Sequence, residues 1–553
     1  MPRKSIYNYL LIALLSMIFF IPYLGDVHLF DWDEINFAEA AREMLVTGDY
    51  LTVRIDYKPF HEKPPLFIWL QALSMHAFGV NEFAARLPNA VTGIITLLLL
   101  YGFGKKIFDE RFGLLWVIAY IGSFLPHFYF KSGIIDPVFN LFIFLSIYFS
   151  YCYLNNAIKN QKKKLRYFFF AVFFAGLAVL TKGPVGFLLV FLCWNLFYFI
   201  KRKYFRYPYK EILLITFFSF TFYLAWYISV TLLSGADLIN DFLKYHLRLL
   251  TTEDAGHGGP FYYHFFVLLF GCFPSSVIAL RAIRRSQQDS DEHQQFKQWM
   301  LILLCVVLVV FSIVETKIIH YSSLAYFPIT FLAAYAMHAM SFKNMMPKAS
   351  TTWLIGIIGI SWAATFAIIP LIFINIDLVL QRVIDVFTAG LLQTKVDWQG
   401  YEYLIGVFYF IAIVIAMILL QKKFVLKGFI ILFAASALAV FTFLPLTVPK
   451  IEPYTQGAPI EFFKALKGKD VYVAALGYKS YAQYFYTEKP KNLSAHHLGA
   501  SQAVFNEWLL NGNIDKDAYF VCKNKRLNRY LQYNNVKVLY EKSGFVFFKR
   551  EKK

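Results

Sequence analysis

Apolar blocks of membrane-crossing length, separated by short polar connectors, fill most of the first 446 residues. The pattern predicts thirteen helical spans, at about 7–24, 88–104, 112–128, 136–154, 167–181, 184–200, 211–233, 262–280, 299–314, 321–339, 352–374, 402–420 and 427–446. The connector 25–87 breaks the pattern. In "WDEINFAEAAREMLVTGDY", Phe37, Ala41 and Met44 recur at helical spacing, Glu39 and Arg42 fall on a more polar side, and Gly48 ends the run. This predicts an amphipathic helix lying along the membrane surface. The "EKPP" that follows cannot continue a helix, because its prolines lack donors; it reads as a rigid turn into "LFIWLQALSMHAFG". After residue 446 the period changes again. Strand-like "DVYVAALG", "AYFVCK", "VKVLYE" and "GFVFFKR" alternate with helical "PIEFFKALKG", "SQAVFNEWLLNG" and "NRYLQY". Residues 447–553 therefore read as a small α/β domain outside the membrane, without a glycine-rich phosphate fingerprint, that caps or shapes a site.

Composition agrees with a membrane protein. Of 553 residues, 58% are hydrophobic and 16% charged, too little charge to cover a soluble fold of this size. A net charge of +19 would suit a nucleic-acid partner, but it lies in short runs between apolar blocks, such as "KKIFDER", "KNQKKKLR", "KRKYFRYPYK", "RAIRR" and "QKKFVLKG". That is the positive-inside pattern, and it excludes soluble nucleic-acid binding. With a cytoplasmic N-terminus these runs fall inside. The connectors 25–87, 129–135, 234–261, 315–320 and 375–401 then lie outside, with the tail 447–553. The N-terminal segment has no clear small-x-small cleavage site and reads as an uncleaved first span. Four of the five cysteines fall in or beside apolar blocks and Cys522 stands alone in the tail, so no structural disulfide is expected there.

Charge next to the membrane singles out a constellation on the outer side. Asp31, Asp33, Glu34, Glu62 and Lys63 lie in the first outer connector; Lys131 and Asp136 flank "KSGIIDP"; Lys182 sits in "LTKGPVG". His246, Arg248, Glu253, Asp254 and His257 lie in the middle connector, and Lys317, His320 and Tyr321 in "ETKIIHY". A solvated loop explains Asp31, Glu253 and Asp254 equally well. Lys131 and Lys182 fit either function or snorkelling. Asp33, Glu62, Lys63 and Asp136 press against apolar sequence, where an unneeded charge is costly. Lysine, arginine and histidine suit a phosphate; a carboxylate can accept a hydroxyl's proton. A phosphate leaving group needs charge neutralisation rather than a proton, and if the acceptor is a phosphate monoester no base is required and the acid orients it or acts electrostatically.

The motifs "DWDEINFAEAAREMLVTGDYLTVR", "YKPFHEKPPLFIWLQAL", "NEFAARLPNA", "SGIIDP", "LTKGPVG", "HGGPFYYH" and "KIIHYSSLAYFP" run in order through residues 1–330. They resemble the bacterial GT-C lipid-linked glycosyltransferases, which include aminoarabinose transferases of lipid A and dolichyl-phosphate-mannose–protein mannosyltransferases. The resemblance implies a polytopic all-α GT-C membrane protein of about thirteen transmembrane helices with a small α/β extracytoplasmic tail domain. It also implies inverting transfer from a polyprenyl-phosphate sugar at the outer face. Asp33, followed by Glu34, and Asp136 would be the catalytic acids. Lys63 would contact the lipid phosphate; Lys317, His320 and Tyr321 would line the pocket, with Arg42, Lys131, Lys182 and Arg248 as further substrate-binding candidates. Glu62 and His257 would hold one divalent metal (zinc, magnesium or manganese), with His61 a rival ligand. Where the aminoarabinose enzymes read DE-x-R-Y-A-E, this chain has "DEINFAE", with Asn36 and Phe37. That departure bears on sugar and acceptor more than on enzyme class.

The expected function is transfer of a sugar from undecaprenyl phosphate to an envelope acceptor at the periplasmic face of the inner membrane. Lipid A leads, with protein hydroxyls or an envelope polysaccharide as the alternative acceptors. The chain is expected to act as a monomer among membrane lipids. A lipid-linked sugar transporter is the rival reading. It would place functional polar groups near mid-membrane in repeated or broken helices, whereas here they gather at one face.

Overall fold

The computed structural model of the protein describes residues 3–60, 62–155, 160–203, 207–234, 248, 258–283, 290–342 and 347–552. Among them, nine helices are long and apolar enough to cross a membrane. A tenth arises if Glu110–Ile121 and Phe124–Lys131, bent by 82°, count as one span. The thirteen expected spans are not reached on those terms. Ser5–Phe20 and Val185–Lys201 are apolar but shorter. The segment 262–280 breaks into Tyr263–Gly271 and Ser275–Ala279, with Pro274, which has no N–H to donate, at the break. The bundle core is strongly aromatic: Phe144 stacks on Phe327 with centroids 4.2 Å apart, and Trp116 meets Phe331 edge-on at 5.2 Å.

The first outer connector forms the helix Asp33–Thr47, stopped by Gly48 in the left-handed region at φ 70°. Glycine is needed there because a Cβ disfavours that conformation. Contrary to the surface helix expected, every residue from Glu34 to Met44 is buried. The helix is covered on one side by Leu66–Phe78 and on another by the tail helix Ala482–Thr487. Its polar side is consumed internally. Arg42 makes two 2.7 Å bonds to Glu39 and a 3.2 Å bond to the Lys489 carbonyl. The Tyr57 backbone N–H donates to Glu43 at 2.9 Å.

Strands β1 (Arg54–Ile55) and β2 (Lys58–Pro59) make a small hairpin beside this helix. The tail carries a four-stranded sheet of β3 (Tyr472–Leu476), β4 (Ala518–Lys523), β5 (Lys537–Lys542) and β6 (Phe545–Arg550), in the order β3-β4-β6-β5. β3 and β4 are parallel; the other neighbours are antiparallel. One face packs with the helix Gln502–Asn511, burying Tyr472, Phe505, Leu509 and Phe520. The other joins the first-connector core, where Phe463, Phe485, Val521 and Phe547 meet Ile35, Ala38 and Met44. The span Val425–Ile451 runs past residue 446 into this region. The short helix Ala482–Thr487, absent from the sequence pattern, is the one that seats the tail.

Burial, and then the neighbouring Glu39, push the Glu43 carboxyl well above its ordinary value of 4.5. For a raised carboxyl, the stability contributed by the protonated form is complete below the ordinary value and is lost as pH rises through the folded one. Glu43→Gln, which mimics the protonated form, is expected to raise the melting temperature of the detergent-solubilised protein by a few degrees at about pH 8 and to flatten its pH dependence. Thermal unfolding followed by tryptophan fluorescence at several pH values checks this.

Candidate functional site

Four segments distant in sequence bring charged side chains to one end of the bundle. Asp33 opens the first-connector helix. Asp136 opens the span Asp136–Leu154, with Pro137 in its first turn. Lys182 closes the span Gln161–Lys182, which Gly183 terminates. His320 and Tyr321 lie in the 3-10 turn Ile319–Ala325. His320 Nε2 stands 3.5 Å from Asp33 Oδ2 and 3.7 Å from Asp136 Oδ2, and Lys182 Nζ donates to Asp136 Oδ1 at 2.7 Å. The Lys182 ammonium lies 5.3 Å from the centre of the Tyr321 ring and 5.5 Å from that of Phe139. The two acids differ in access: the side chain of Asp33 is 41% exposed, that of Asp136 3%. Asp136 Oδ2 is buried with no hydrogen-bond partner. Such an oxygen is costly, which suits a ligand hydroxyl completing the set.

The cluster rests on a buried scaffold. Glu34 points away from Asp33 and pairs with Arg86 at 2.8 and 3.1 Å. Its carboxylate also accepts the backbone N–H of Phe30 at 3.0 Å and that of Gly133. Burial opposes the Glu34 charge, but the Arg86 guanidinium and the backbone donors outweigh it and hold the carboxyl below its ordinary range. Arg86 also donates to the carbonyls of Leu24, Val27 and His28. Asn89, three residues on, donates to the Ser132 and Ile134 carbonyls at 2.7 and 2.6 Å. "NEFAARLPNA" thus clamps both the connector that carries Asp33 and the turn that carries Asp136. At Gly133 a Cβ would lie 3.4 Å from the Glu34 carboxylate, at the tight edge of ordinary contact.

The other candidates are placed elsewhere. Glu34 is in the scaffold, not among the converging groups. Arg42 is spent on Glu39 and the Lys489 carbonyl. Lys131 donates to the carbonyls of Phe19 and Pro22 at the end of the first apolar helix. Lys317 donates to the Phe311, Ser312 and Val314 carbonyls, at the end of the helix Asp291–Ile313. Gly259 of "HGGPFYYH" packs on the Lys317 stem, and His264 of the same motif bonds Ser322 at 3.0 Å. Lys63 is half-buried in the turn before Leu66–Phe78. Glu62 and the exposed Arg248 line a cleft of about 1320 Å³ shared with the tail domain. His257, like His61, His246, Glu253 and Asp254, lies outside the described residues. Among those described, no three His, Cys, Asp or Glu side chains gather as metal ligands.

No feature of the chain's pattern points to what the tail contributes beside Asp33. The Asp31 carboxylate accepts the Ser480 hydroxyl and, at 3.2 Å, the Tyr481 N–H, across 450 residues of sequence. Burial pushes the Asp31 carboxyl up. The Lys479 ammonium lies 4.5 Å from the ring centre of the exposed Trp32. No local pattern can announce partners that far apart.

Residues 62–226 match the family model described as dolichyl-phosphate-mannose-protein mannosyltransferase. The undecaprenyl phosphate-α-4-amino-4-deoxy-L-arabinose arabinosyl transferase of Wigglesworthia glossinidia brevipalpis is 24% identical over 349 residues, covering 62% of this chain and 60% of that protein. The enzyme of the same name from Pseudomonas paraeruginosa is 25% identical over 344 residues, covering 61% of this chain and 60% of that protein. The chain thus spans about three fifths of the curated relatives it matches. In structure it superposes on ArnT from Cupriavidus metallidurans bound to undecaprenyl phosphate with a TM-score of 0.76 and 17% identity, over 99% of this chain and 98% of that one. The apo state of that protein gives the same TM-score at 16% identity. The chain thus shares the fold of that protein, and its segment 62–226, which carries Asp136 and Lys182, is similar to the mannosyltransferase family.

Proposed function

We propose that this chain is an inverting glycosyltransferase that moves a sugar from a polyprenyl phosphate to an envelope acceptor, lipid A in the first instance. The observation that carries the reading is the Asp33–His320–Asp136–Lys182 cluster. The span that Asp136 opens also lines an apolar groove of about 660 Å³, together with Leu70, Val91 and Phe174. A prenyl chain in that groove lies along the span whose first residue is Asp136. An acceptor hydroxyl or phosphate oxygen attacks the anomeric carbon from the face opposite the leaving phosphate. The bond from that carbon to the phosphate oxygen breaks, and the configuration inverts. Asp33, the open carboxylate, orients the acceptor and, where this is a hydroxyl, takes its proton. Lys182 neutralises the departing phosphate, and its bond to Asp136 fixes the ammonium. His320, between the two acids, keeps them in register. The transporter reading has no comparable support, because the charged groups converge at one end of the bundle.

The same reading places the N-terminus in the cytoplasm and the tail domain in the periplasm of a bacterial inner membrane. Thirteen crossings result if the bent pair, the two short apolar helices and the broken segment 262–280 each cross once. Domain limits at 446 and 447 belong to this reading too. A divalent metal held by Glu62 and His257 is a separate part of it; metal analysis and chelation of the purified chain test that part, and the transfer steps use no metal.

With purified protein, donor lipid and extracted acceptor, Asp33→Asn is expected to lower transfer by about 100-fold or more while still binding undecaprenyl phosphate; full activity in that variant sinks the assignment. Lys182→Ala is expected to weaken donor use by about tenfold or more, the size of a lost charge-assisted hydrogen bond, read as kcat/KM for the donor. Single cysteines at Lys479 and Lys163, in a background without the native cysteines, are expected to react with an impermeant maleimide from opposite sides of intact inner-membrane vesicles. Labelling from the same side overturns the topology.

A further inference from the structure

We infer that the cleft between the first outer connector and the tail domain is a saccharide-binding site that seats the glycan portion of the acceptor beside Asp33. Its biological sense rests on the transferase reading, while its affinity for sugar follows from its own chemistry. At about 1320 Å³ it exceeds the ~300–1,000 Å³ that suits a drug-sized ligand, so it has room for several sugar rings. Its walls include the phenol rings of Tyr481 and Tyr484, the amides of Gln483, Gln502 and Asn506, and the imidazole of His496. Saccharides bind to such surfaces because their C–H faces lie on aromatic rings while side-chain amides give and accept hydrogen bonds with vicinal hydroxyls. Lys58, Lys479 and Arg248 outnumber Glu62 on the walls, because Asp56 is already paired with Lys489 at 2.8 Å, which suits a glycan that carries phosphate.

Two polar atoms in the cleft are unsatisfied. Gln483, 4% exposed, donates from Nε2 to the Ser480 carbonyl, but its Oε1 has no hydrogen-bond partner. The Tyr478 hydroxyl is also buried and unpartnered. Each such atom costs about 1–3 kcal/mol unless something pairs with it, and a sugar hydroxyl can. By contrast, Tyr484, Gln502 and Asn506 are already ordered in a chain of bonds at 3.1 and 2.8 Å, so that wall is preformed. Continuity with the transfer site comes through three consecutive residues. Asp31 holds Tyr481 and Ser480 of the cleft wall, Trp32 offers an exposed ring whose edge meets Tyr481, and Asp33 faces His320. The cleft wall thus bonds directly to Asp31, two residues before the proposed base.

The test uses the full-length protein in nanodiscs. The probe is the water-soluble oligosaccharide fraction released by mild acid from envelopes of the producing cells. Saturation-transfer NMR is expected to show binding by the wild type. The paired substitution Asn506→Ala with His496→Ala, on the more accessible wall, is expected to weaken it by about tenfold, with unchanged melting temperature and unchanged undecaprenyl phosphate binding. In the transfer assay the same variant is expected to raise KM for the acceptor and leave kcat within about twofold. Asp33→Asn is expected to bind the oligosaccharide normally, so loss of the transferase reading leaves this arm intact. No binding by the wild type, equal binding by the paired variant, or preference for a Ser/Thr-rich peptide over the oligosaccharide overturns the inference.

Discussion

The architecture of the charged end hangs on one buried ion pair, Glu34 with Arg86. Each partner does more than neutralise the other. Glu34 uses its remaining lone pairs on backbone N–H groups of Phe30 and Gly133, and Arg86 spends its other donors on three carbonyls of the connector. A charge pair taken out of water repays its desolvation only when every donor and acceptor is used in this way. Removing one partner would leave the other buried and uncompensated, at about 3–5 kcal/mol. Because the pair fixes both the connector carrying Asp33 and the turn carrying Asp136, it sets the spacing of the two acids although it touches neither.

From that constraint follows a division of labour between neighbouring residues. Helical geometry turns consecutive side chains about 100° apart, so Asp33 and Glu34 cannot serve the same cavity. One stays 41% exposed beside His320 and the other disappears into the scaffold. The cations divide in the same way. Lys131 and Lys317 sit where helix ends leave carbonyls without partners, and an ammonium there satisfies several at once. Lys182 instead meets a carboxylate and two aromatic rings, which hold the ammonium beside Asp136.

The tail domain is part of the same construction rather than an appendage. Its helix Ala482–Thr487 and strands β4 and β6 complete the apolar core that buries the first-connector helix. The internal pairing of Glu39 with Arg42 and the bond from Tyr57 to Glu43 let that helix be covered on both sides without stranded charge. The cover also creates the polar cleft, whose walls come from both ends of the sequence.

Much of this architecture is legible in the order of residues alone. Apolar block length and the placement of basic runs announce a polytopic membrane protein, because lipid imposes one length and one polarity on every span. Helical spacing and Gly48 mark the first-connector helix and its stop, and short runs rich in Val, Tyr and Phe mark all four strands of the tail sheet. Crossing number is harder: apolar residues pack equally well in full spans, short helices such as Val185–Lys201 and a segment broken near Pro274. Tertiary structure alone decides which charges serve which purpose. Asp33 and Glu34, or Lys182 and Lys131, look alike in sequence, since a charge beside an apolar run carries no record of its partner. Only when distant segments meet does one become a reactive group in a cavity and another a strut, because the cost of burying a charge depends on the groups packed directly against it.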